Sequence, residues 1–146
     1  MTHKNGLTES EIISGNKLIA EFIGAKETVE GYWIEFPYKI AGHVLACHIK
    51  EMSFHLSWDW LMPIVNKIEG IDEDNCDFHI MICKTFTRVV YDYDNYTMDV
   101  DIGNKEDFYS SFKEYKHVIF HNDKTATTWC AVVRFIEWWN NFSKNK

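Results

Sequence analysis

The stretch TATTWCAVVRFIEWWNNF, residues 125–142, predicts a helix with two apolar faces. One stripe at helical spacing consists of Trp129, Val132, Val133, Ile136 and Trp139. A second stripe lies nearly opposite and consists of Ala131, Phe135, Trp138 and Phe142, which leaves a narrow polar sector of Arg134, Glu137 and Asn141. A surface helix has one apolar face, so this helix is either central in the fold or covers part of another chain. We favour the second arrangement and predict a homo-oligomer interface at Phe135, Trp138 and Phe142.

Two helices are predicted before this stretch. Thr8-Glu9-Ser10-Glu11 has the form of a capping box, and the apolar spacing that follows predicts a helix over residues 9–23 that ends at Gly24. A second helix is predicted over residues 57–69, with an apolar stripe of Trp58, Leu61, Met62, Val65 and Ile68. Pro63 removes a backbone hydrogen bond, so the regular helix either begins near residue 59 or 60 or is kinked.

Four strands are predicted from runs of β-forming residues that turn signals separate. They cover residues 29–36, 43–51, 78–91 and 96–102, and a short helix is predicted over residues 105–116. The order α-β-β-α-β-β-(α)-α favours the α+β class. We therefore expect a single domain, residues 1–146, in which an antiparallel sheet of about four strands carries helices packed on one side.

The composition limits the classes of partner. The chain has 146 residues and a formal net charge of -7, with 22 acidic and 15 basic residues. Because no Lys/Arg cluster is present to displace counterions, we expect no nucleic-acid partner. Six Trp, seven Tyr and ten Phe exceed what one small core usually holds. Some of these rings are therefore expected at a ligand pocket or a subunit interface.

The cysteines and the start of the chain favour a cytoplasmic protein. The four cysteines show no C-x-x-C spacing, no apolar leader precedes them, and no apolar run approaches the length of a membrane span. We expect reduced, mostly buried thiols and no membrane partner.

The segment His55-Leu56-Ser57-Trp58-Asp59-Trp60 is the strongest candidate for ligand binding. It combines an imidazole, a hydroxyl, a carboxylate and two indoles at a predicted helix N-terminus, whose free N–H groups favour an anion. Such groups can stack on a planar ring and hydrogen-bond its edge. The candidate ligand-binding residues of this segment are His55, Ser57, Trp58, Asp59 and Trp60.

Two basic residues extend this hypothesis. Lys84 and Arg88 share one face of the predicted third strand and are the best candidates for a phosphate contact. The alternative is purely structural, because Trp58 falls on the apolar stripe and Ser57 or Asp59 can serve as a helix cap.

No metal or cofactor is expected. The seven histidines include no His-Glu-x-x-His pattern. His43, His48 and His55 would converge only if the second strand led directly into the helix, and we favour solvent-facing or hydrogen-bonded histidines. Cys47 adjoins His48, but strand alternation points the two side chains to opposite faces.

The segments NKLIAEFIG (residues 16–24), SWDWLMPIVNKIE (57–69) and AVVRFIEWWN (131–140) carry a family resemblance. Together they resemble a family of small, uncharacterised proteins encoded by bacteriophages and prophages, especially of Bacteroidetes-type hosts. The resemblance implies a phage-related origin and a location in the cytoplasm of a bacterial host cell, but no established activity or catalytic residues. Small accessory phage proteins frequently act against host defences, which implies an anti-defence role by association.

We therefore predict a non-enzymatic accessory protein that counters host defence by sequestering a small signalling ligand or a host protein. The grounds are the aromatic excess, the two-sided final helix, the lack of catalytic spacing and the resemblance. Two alternatives stay open at this point. One is a hydrolase or nucleotide-processing enzyme whose His and Asp side chains are distant in sequence, and the other is a purely structural oligomerising protein.

Overall fold

In the computed structural model, helices and antiparallel strands alternate along the described chain, which confirms the α+β class. The described residues are 7–37, 39–40, 43–44, 46–71, 76–82, 87–93, 96–102 and 124–144. The helices are α1 (Glu9–Phe22), α2 (Trp58–Glu69) and α3 (Lys124–Lys144), with a 3₁₀ helix at Ile49–Glu51. The strands are β1 (Lys26–Val29), β2 (Tyr32–Ile34), β3 (Lys39–Ile40), β4 (His43–Val44), β5 (Cys47–His48), β6 (Cys76–Ile82), β7 (Thr87–Tyr93) and β8 (Tyr96–Ile102).

Helix α1 follows its sequence signals at both ends. The Thr8 hydroxyl accepts the backbone N–H of Glu11, whose carboxylate in turn accepts from the backbone N–H of Thr8, so the predicted capping box is confirmed. At the other end, the N–H of Gly24 bonds the carbonyl of Glu21, and the N–H of Ala25 bonds that of Ala20. This pattern is a Schellman motif, with Gly24 at positive φ as predicted.

The strand predicted over residues 29–36 is instead a hairpin. β1 and β2 pair antiparallel with Val29 opposite Tyr32, and Glu30-Gly31 makes the turn between them. Gly31 has φ +79, and a Cβ there would also collide with the His48 ring. The β-forming residues correctly predicted an extended chain, but Gly31 at positive φ reverses its direction.

The other predicted strands also need correction. The strand expected over residues 43–51 is divided into β4, β5 and the 3₁₀ helix, and β5 pairs with β2. The strand expected over residues 78–91 is divided into β6 and β7, which pair antiparallel, while β8 pairs with β7 as predicted. The described strands form three antiparallel sheets, β1-β2-β5, β3-β4 and β6-β7-β8. The helix expected over residues 105–116 lies outside the described residues.

Helix α2 begins at Trp58, one or two residues earlier than the regular helix expected from Pro63. Pro63 lies inside the helix, so residue 63 offers no N–H to the carbonyl of Asp59. The buried face consists of Leu61, Ile64, Val65 and Ile68. The predicted apolar stripe is wrong for Trp58, which is 36% exposed.

Helix α3 is central, and both of its apolar faces are used within the chain. It contacts α1 and α2 and also strands β7 and β8. On the sheet side, the Phe78 ring meets Phe135 edge-on at 4.9 Å between centroids and also meets Trp138 and Trp139. Each such buried ring contributes roughly 1.5–3 kcal/mol relative to an exposed one. Much of the aromatic excess is therefore core.

The predicted oligomer interface is affected by this packing. Phe135 is 3% exposed and lies in the monomer core, so the structure corrects its assignment to a surface that a second chain would cover. Trp138 is half-buried against Phe78, and the side chain of Phe142 lies outside the described part of the structure. Oligomerisation itself stays a prediction.

A buried hydroxyl contact between Thr87 and Thr128 at 3.0 Å also joins β7 to α3.

Helices α1 and α3 pack closely against each other at Gly15. A Cβ at this position would overlap the Trp129 ring and lie against Val133. The indole N–H of Trp129 donates to the Asn16 side-chain oxygen at 2.8 Å, and moving the ring aside would cost this buried hydrogen bond. A glycine in mid-helix costs helix propensity, and the close packing of two helices is the reason for it here.

We expect Gly15→Ala to lower the free energy of unfolding by about 1–2 kcal/mol in urea denaturation. Alanine gains roughly 0.5–1 kcal/mol of helix propensity, but overpacking against the fixed Trp129 ring costs about 1–3 kcal/mol. Gly70→Ala is the matched control, because Gly70 ends α2 at φ -88 and is exposed. It should change the free energy by less than about 0.5 kcal/mol. A Gly15→Ala variant more stable than the parent would contradict this account of the helix contact.

Candidate functional site

The candidate side chains of the segment 55–60 lie in different surroundings in the structure. His55 is 7% exposed and faces α1 and α3, whereas Trp58 and Asp59 are exposed. The Trp60 ring packs edge-on against Phe54 with 5.0 Å between centroids. Ser57 is the N-cap of α2, but its side chain makes no capping hydrogen bond. These side chains do not converge on one cavity.

His55 belongs to a buried polar network centred on Asn16. The Asn16 amide nitrogen lies 3.2 Å from the His55 Nδ1 and donates to the Met52 carbonyl at 3.2 Å, while its oxygen accepts from Trp129. An indole is only a donor, so it sets the orientation of the Asn16 amide. The amide nitrogen must then donate to His55, whose Nδ1 is the acceptor. The geometry therefore selects the neutral His55 tautomer with its proton on Nε2.

Of the two basic residues predicted to share a strand face, only Arg88 lies among the described residues. Arg88 is in β7, where its backbone lies opposite Met81 and Asp101. Lys84 lies outside the described residues. The phosphate contact predicted for Lys84 and Arg88 therefore stays a prediction.

A cleft of about 260 Å³ lies between α1 and α3, above the Gly15–Trp129 contact. Its walls combine apolar surface with charged groups and hydroxyls. The lining residues are Ser10, Glu11, Ser14, Gly15, Leu18, Trp129, Cys130, Val133, Arg134 and Glu137. The helical spacing explains why these residues line one cleft. Residues 11, 14, 15 and 18 share one face of α1, and residues 130, 133, 134 and 137 share one face of α3. We name this site the α1/α3 cleft.

Arg134 is the cation of the α1/α3 cleft and is half-buried. Between described residues the one ion pair is Lys26–Glu35, so no described carboxylate contacts the Arg134 guanidinium. Glu11 lines the same cleft, but its Oε1 is engaged by the Thr8 hydroxyl at 2.8 Å in the helix cap. A partly buried guanidinium without a carboxylate partner is a ready donor for a planar anion.

Cys130 lies at the base of the same cleft. Burial raises the pKa of its thiol to about 12, with Arg134 lowering and Glu11 raising it by smaller amounts. A thiol of this pKa is protonated at neutral pH and is a poor nucleophile. Cys47, buried in β5, likewise has its pKa raised to about 11, by burial first and by Glu51 second. The expectation of reduced, buried thiols is confirmed for these two residues.

A second cleft of about 220 Å³ lies on the other side of α1, against the 3₁₀ helix. It is lined by Glu9, Ile12, Ile13, Ile49, Lys50, Met52 and His55. His55 is the one residue of the predicted ligand segment in either cleft, and its Nδ1 is already engaged by Asn16. The α1/α3 cleft therefore has the better set of groups for a ligand.

His48 and His55 have separate partners. The Nδ1 of His48 accepts the backbone N–H of Lys50 at 3.2 Å and caps the 3₁₀ helix. His55 bonds Asn16, and the His43 side chain is outside the described part of the chain. Within the described residues, no group of three or more His, Cys, Asp or Glu side chains is placed to hold a metal ion. Those same residues include no helix long and apolar enough to cross a membrane.

Comparisons with protein-family models, with curated proteins and with solved structures gave no match to this chain.

Sequence reasoning missed the α1/α3 cleft, although two of its signals were visible. Gly15 interrupts a predicted helix, which is typical of a close approach between backbones. Arg134 and Glu137 form the narrow polar sector of an otherwise apolar helix. No periodicity shows that Gly15 and this sector face each other, because that pairing depends on how α1 crosses α3.

We expect Asn16→Leu to lower the free energy of unfolding by at least about 2 kcal/mol. The change keeps the volume close but removes the partner of the buried Trp129 N–H, at about 1–3 kcal/mol, together with the Asn16 contacts to His55 and the Met52 carbonyl. Urea denaturation measures the loss, and the Trp129 indole signal in a ¹⁵N spectrum should shift. Lys17→Leu, an exposed neighbour on α1, is the control. Equal stability of the two variants would show that the network contributes nothing.

The thiols should be protected from alkylation. At pH 8, raising the pKa from the ordinary 9.0 to about 12 lowers the thiolate fraction of Cys130 by about a thousandfold, and a pKa of about 11 lowers that of Cys47 by about a hundredfold. Iodoacetamide labelling with peptide mapping should therefore find Cys130 slowest, with the protection lost in urea. Fast native labelling of Cys130 would overturn its placement.

The same pKa values predict a loss of stability in alkali. Both folded-state values lie above 9.0, so the thiols favour the folded chain fully below pH 9. Above pH 9 the unfolded thiols ionise first, and this contribution falls as the pH approaches 11 for Cys47 and 12 for Cys130. Cys130→Ala should make the decline between pH 9 and pH 11 shallower.

Proposed function

We propose that this chain is a non-enzymatic binding protein that holds a small molecule in the α1/α3 cleft. The observation that carries the proposal is the half-buried Arg134, which has no described carboxylate partner and lies in a cleft of about 260 Å³. A few polar groups placed in a mainly apolar concavity are characteristic of small-molecule sites.

The walls of the cleft are suited to binding because they are rigid. Gly15 allows α1 to touch the Trp129 ring, and the Asn16–Trp129 hydrogen bond holds that ring in place. A site built on packed helices needs little ordering when a ligand enters, so less interaction energy is lost to conformational entropy. This supports a preformed binding site.

The chemistry of the cleft favours binding over catalysis. Its thiol, Cys130, is protonated at neutral pH because burial raises its pKa to about 12. The hydrolase alternative relies on His and Asp side chains that meet in space, and the described His55 is committed to Asn16. These observations support binding as the first hypothesis to test.

The biological setting of the proposal comes from the family resemblance. Proteins of that phage-related family would act in the cytoplasm of a bacterial host cell, where sequestering a small defence signal is a useful activity. A role against host defence is therefore part of the proposal, and rests on the resemblance alone.

Native mass spectrometry of protein freshly purified from a bacterial host tests the proposal. We expect a discrete extra mass on the parent chain that is absent from Ser14→Trp, because Ser14 is an exposed cleft residue and an indole there would fill the cavity. Lys17→Trp is the matched control, with the same bulk on the same helix outside the cleft lining. The control should retain the extra mass.

Two results would contradict the proposal. One is an extra mass that Ser14→Trp retains, since the ligand would then lie elsewhere. The other is a bare chain that also fails to bind any compound of a metabolite panel. The same spectra report the number of chains per particle and so test the predicted homo-oligomer.

A second candidate function is docking of a host protein on the loop before α2. Leu56 is 62% exposed and Trp58 36% exposed, and exposed aromatic and apolar pairs are typical anchors of protein interfaces. In a defined assay of phage-defence inhibition, loss of effect in Leu56→Ser/Trp58→Ser with full effect in Ser14→Trp would favour this candidate. The opposite pattern would favour the cleft.

A further inference from the structure

We infer that the α1/α3 cleft takes a small zwitterion with an apolar side chain, of the α-amino-acid type. Its carboxylate would bind Arg134, its ammonium group would lie toward Glu11 or Glu137, and its apolar part would contact Leu18 and Val133. This inference rests on the proposed function of the cleft and specifies the ligand class.

The size of the cleft favours a compact ligand. Its volume of about 260 Å³ is below the range of about 300–1,000 Å³ that is usual for drug-sized molecules. A dinucleotide would extend beyond the walls, whereas a molecule the size of one amino acid fits within this volume.

The charges of the lining favour a ligand that carries both signs. Two carboxylates, Glu11 and Glu137, and one guanidinium, Arg134, leave the lining with one net negative charge. A phosphate bound at Arg134 would place a dianion beside two carboxylates, and like charges in a partly desolvated cleft repel strongly. A carboxylate carries a single charge and matches the guanidinium in bidentate geometry.

The charges of Arg134 and Glu11 both reach the part of the cleft around the Cys130 thiol. Both charges influence the Cys130 thiol, the guanidinium lowering and the carboxylate raising its pKa. Glu11 on α1 and Arg134 on α3 line the cleft from its two walls. A ligand whose ammonium and carboxylate are joined to one carbon can meet both.

The apolar part of the ligand has a surface to bury. Leu18 from α1 and Val133 from α3 line the cleft together with the Trp129 ring. Burial of a branched aliphatic chain against such walls contributes to affinity in proportion to the area removed from water. A leucine-like ligand therefore suits the walls better than glycine would.

Four probes test the ligand class by ¹⁵N chemical-shift titration of the full chain, followed at the Gly15 amide and the Trp129 indole. L-leucine carries both charges, 4-methylpentanoate keeps only the carboxylate, 3-methylbutylamine keeps only the ammonium, and inorganic phosphate replaces the carboxylate. We expect L-leucine to bind, with each single-charge analogue weaker by about tenfold or more, since one charge-assisted hydrogen bond is lost. Phosphate should not compete.

Two variants assign the charges. Arg134→Gln should bind L-leucine no better than 3-methylbutylamine, because the partner of the carboxylate is lost. Glu11→Gln/Glu137→Gln should bind L-leucine no better than 4-methylpentanoate. Lys17→Gln, exposed on α1 and outside the lining, should preserve the parent preference. Urea denaturation of each variant confirms that it is folded.

The outcomes separate this inference from the proposed function. Preference for phosphate or for either single-charge analogue overturns the zwitterion and leaves the cleft as a binding site of another class. Failure of all four probes also overturns it, and the extra mass in native spectra then decides whether the cleft binds anything. Shifts at Gly15 and Trp129 that persist in Ser14→Trp would overturn both.

Discussion

The contact between Gly15 and the Trp129 ring sets the distance between α1 and α3, and much else depends on that distance. A side chain larger than hydrogen at Gly15 would push the helices apart. At the present spacing the Trp129 N–H reaches Asn16, and Asn16 reaches both His55 and the Met52 carbonyl. One steric constraint thus allows a buried polar network whose groups would otherwise lack partners.

Helix α3 packs against helices and against strands at the same time. One face packs on α1 and α2, and the other packs on strands β7 and β8, while Phe135 and the neighbouring indoles meet Phe78 of β6. A helix in this position needs apolar residues almost all round, which explains its two stripes without a second chain. The polar sector that remains, with Arg134 and Glu137, emerges beside α1 and becomes a wall of the cleft.

The cleft and the core are therefore products of the same packing. The glycine that brings the helices together also forms the floor of the α1/α3 cleft, and the ring that it touches belongs to the buried network. Such coupling keeps the walls rigid, which suits recognition of a compact ligand. The same packing buries the Cys130 thiol at the base of the cleft. The thiol stays protonated there, so it contributes to packing and does not act as a nucleophile.

Local signals in the sequence determined the caps of α1, the existence of all three described helices and the α+β class, because capping and helical periodicity act within a few residues. They did not determine where the extended segments turn, since the reversal between β1 and β2 depends on the backbone of Gly31 at positive φ. The role of His55 and the surroundings of Arg134 were decided by tertiary structure alone. His55 bonds a residue 39 positions away, and Arg134 lines a cleft together with residues of another helix. No periodicity in the sequence encodes how two helices cross.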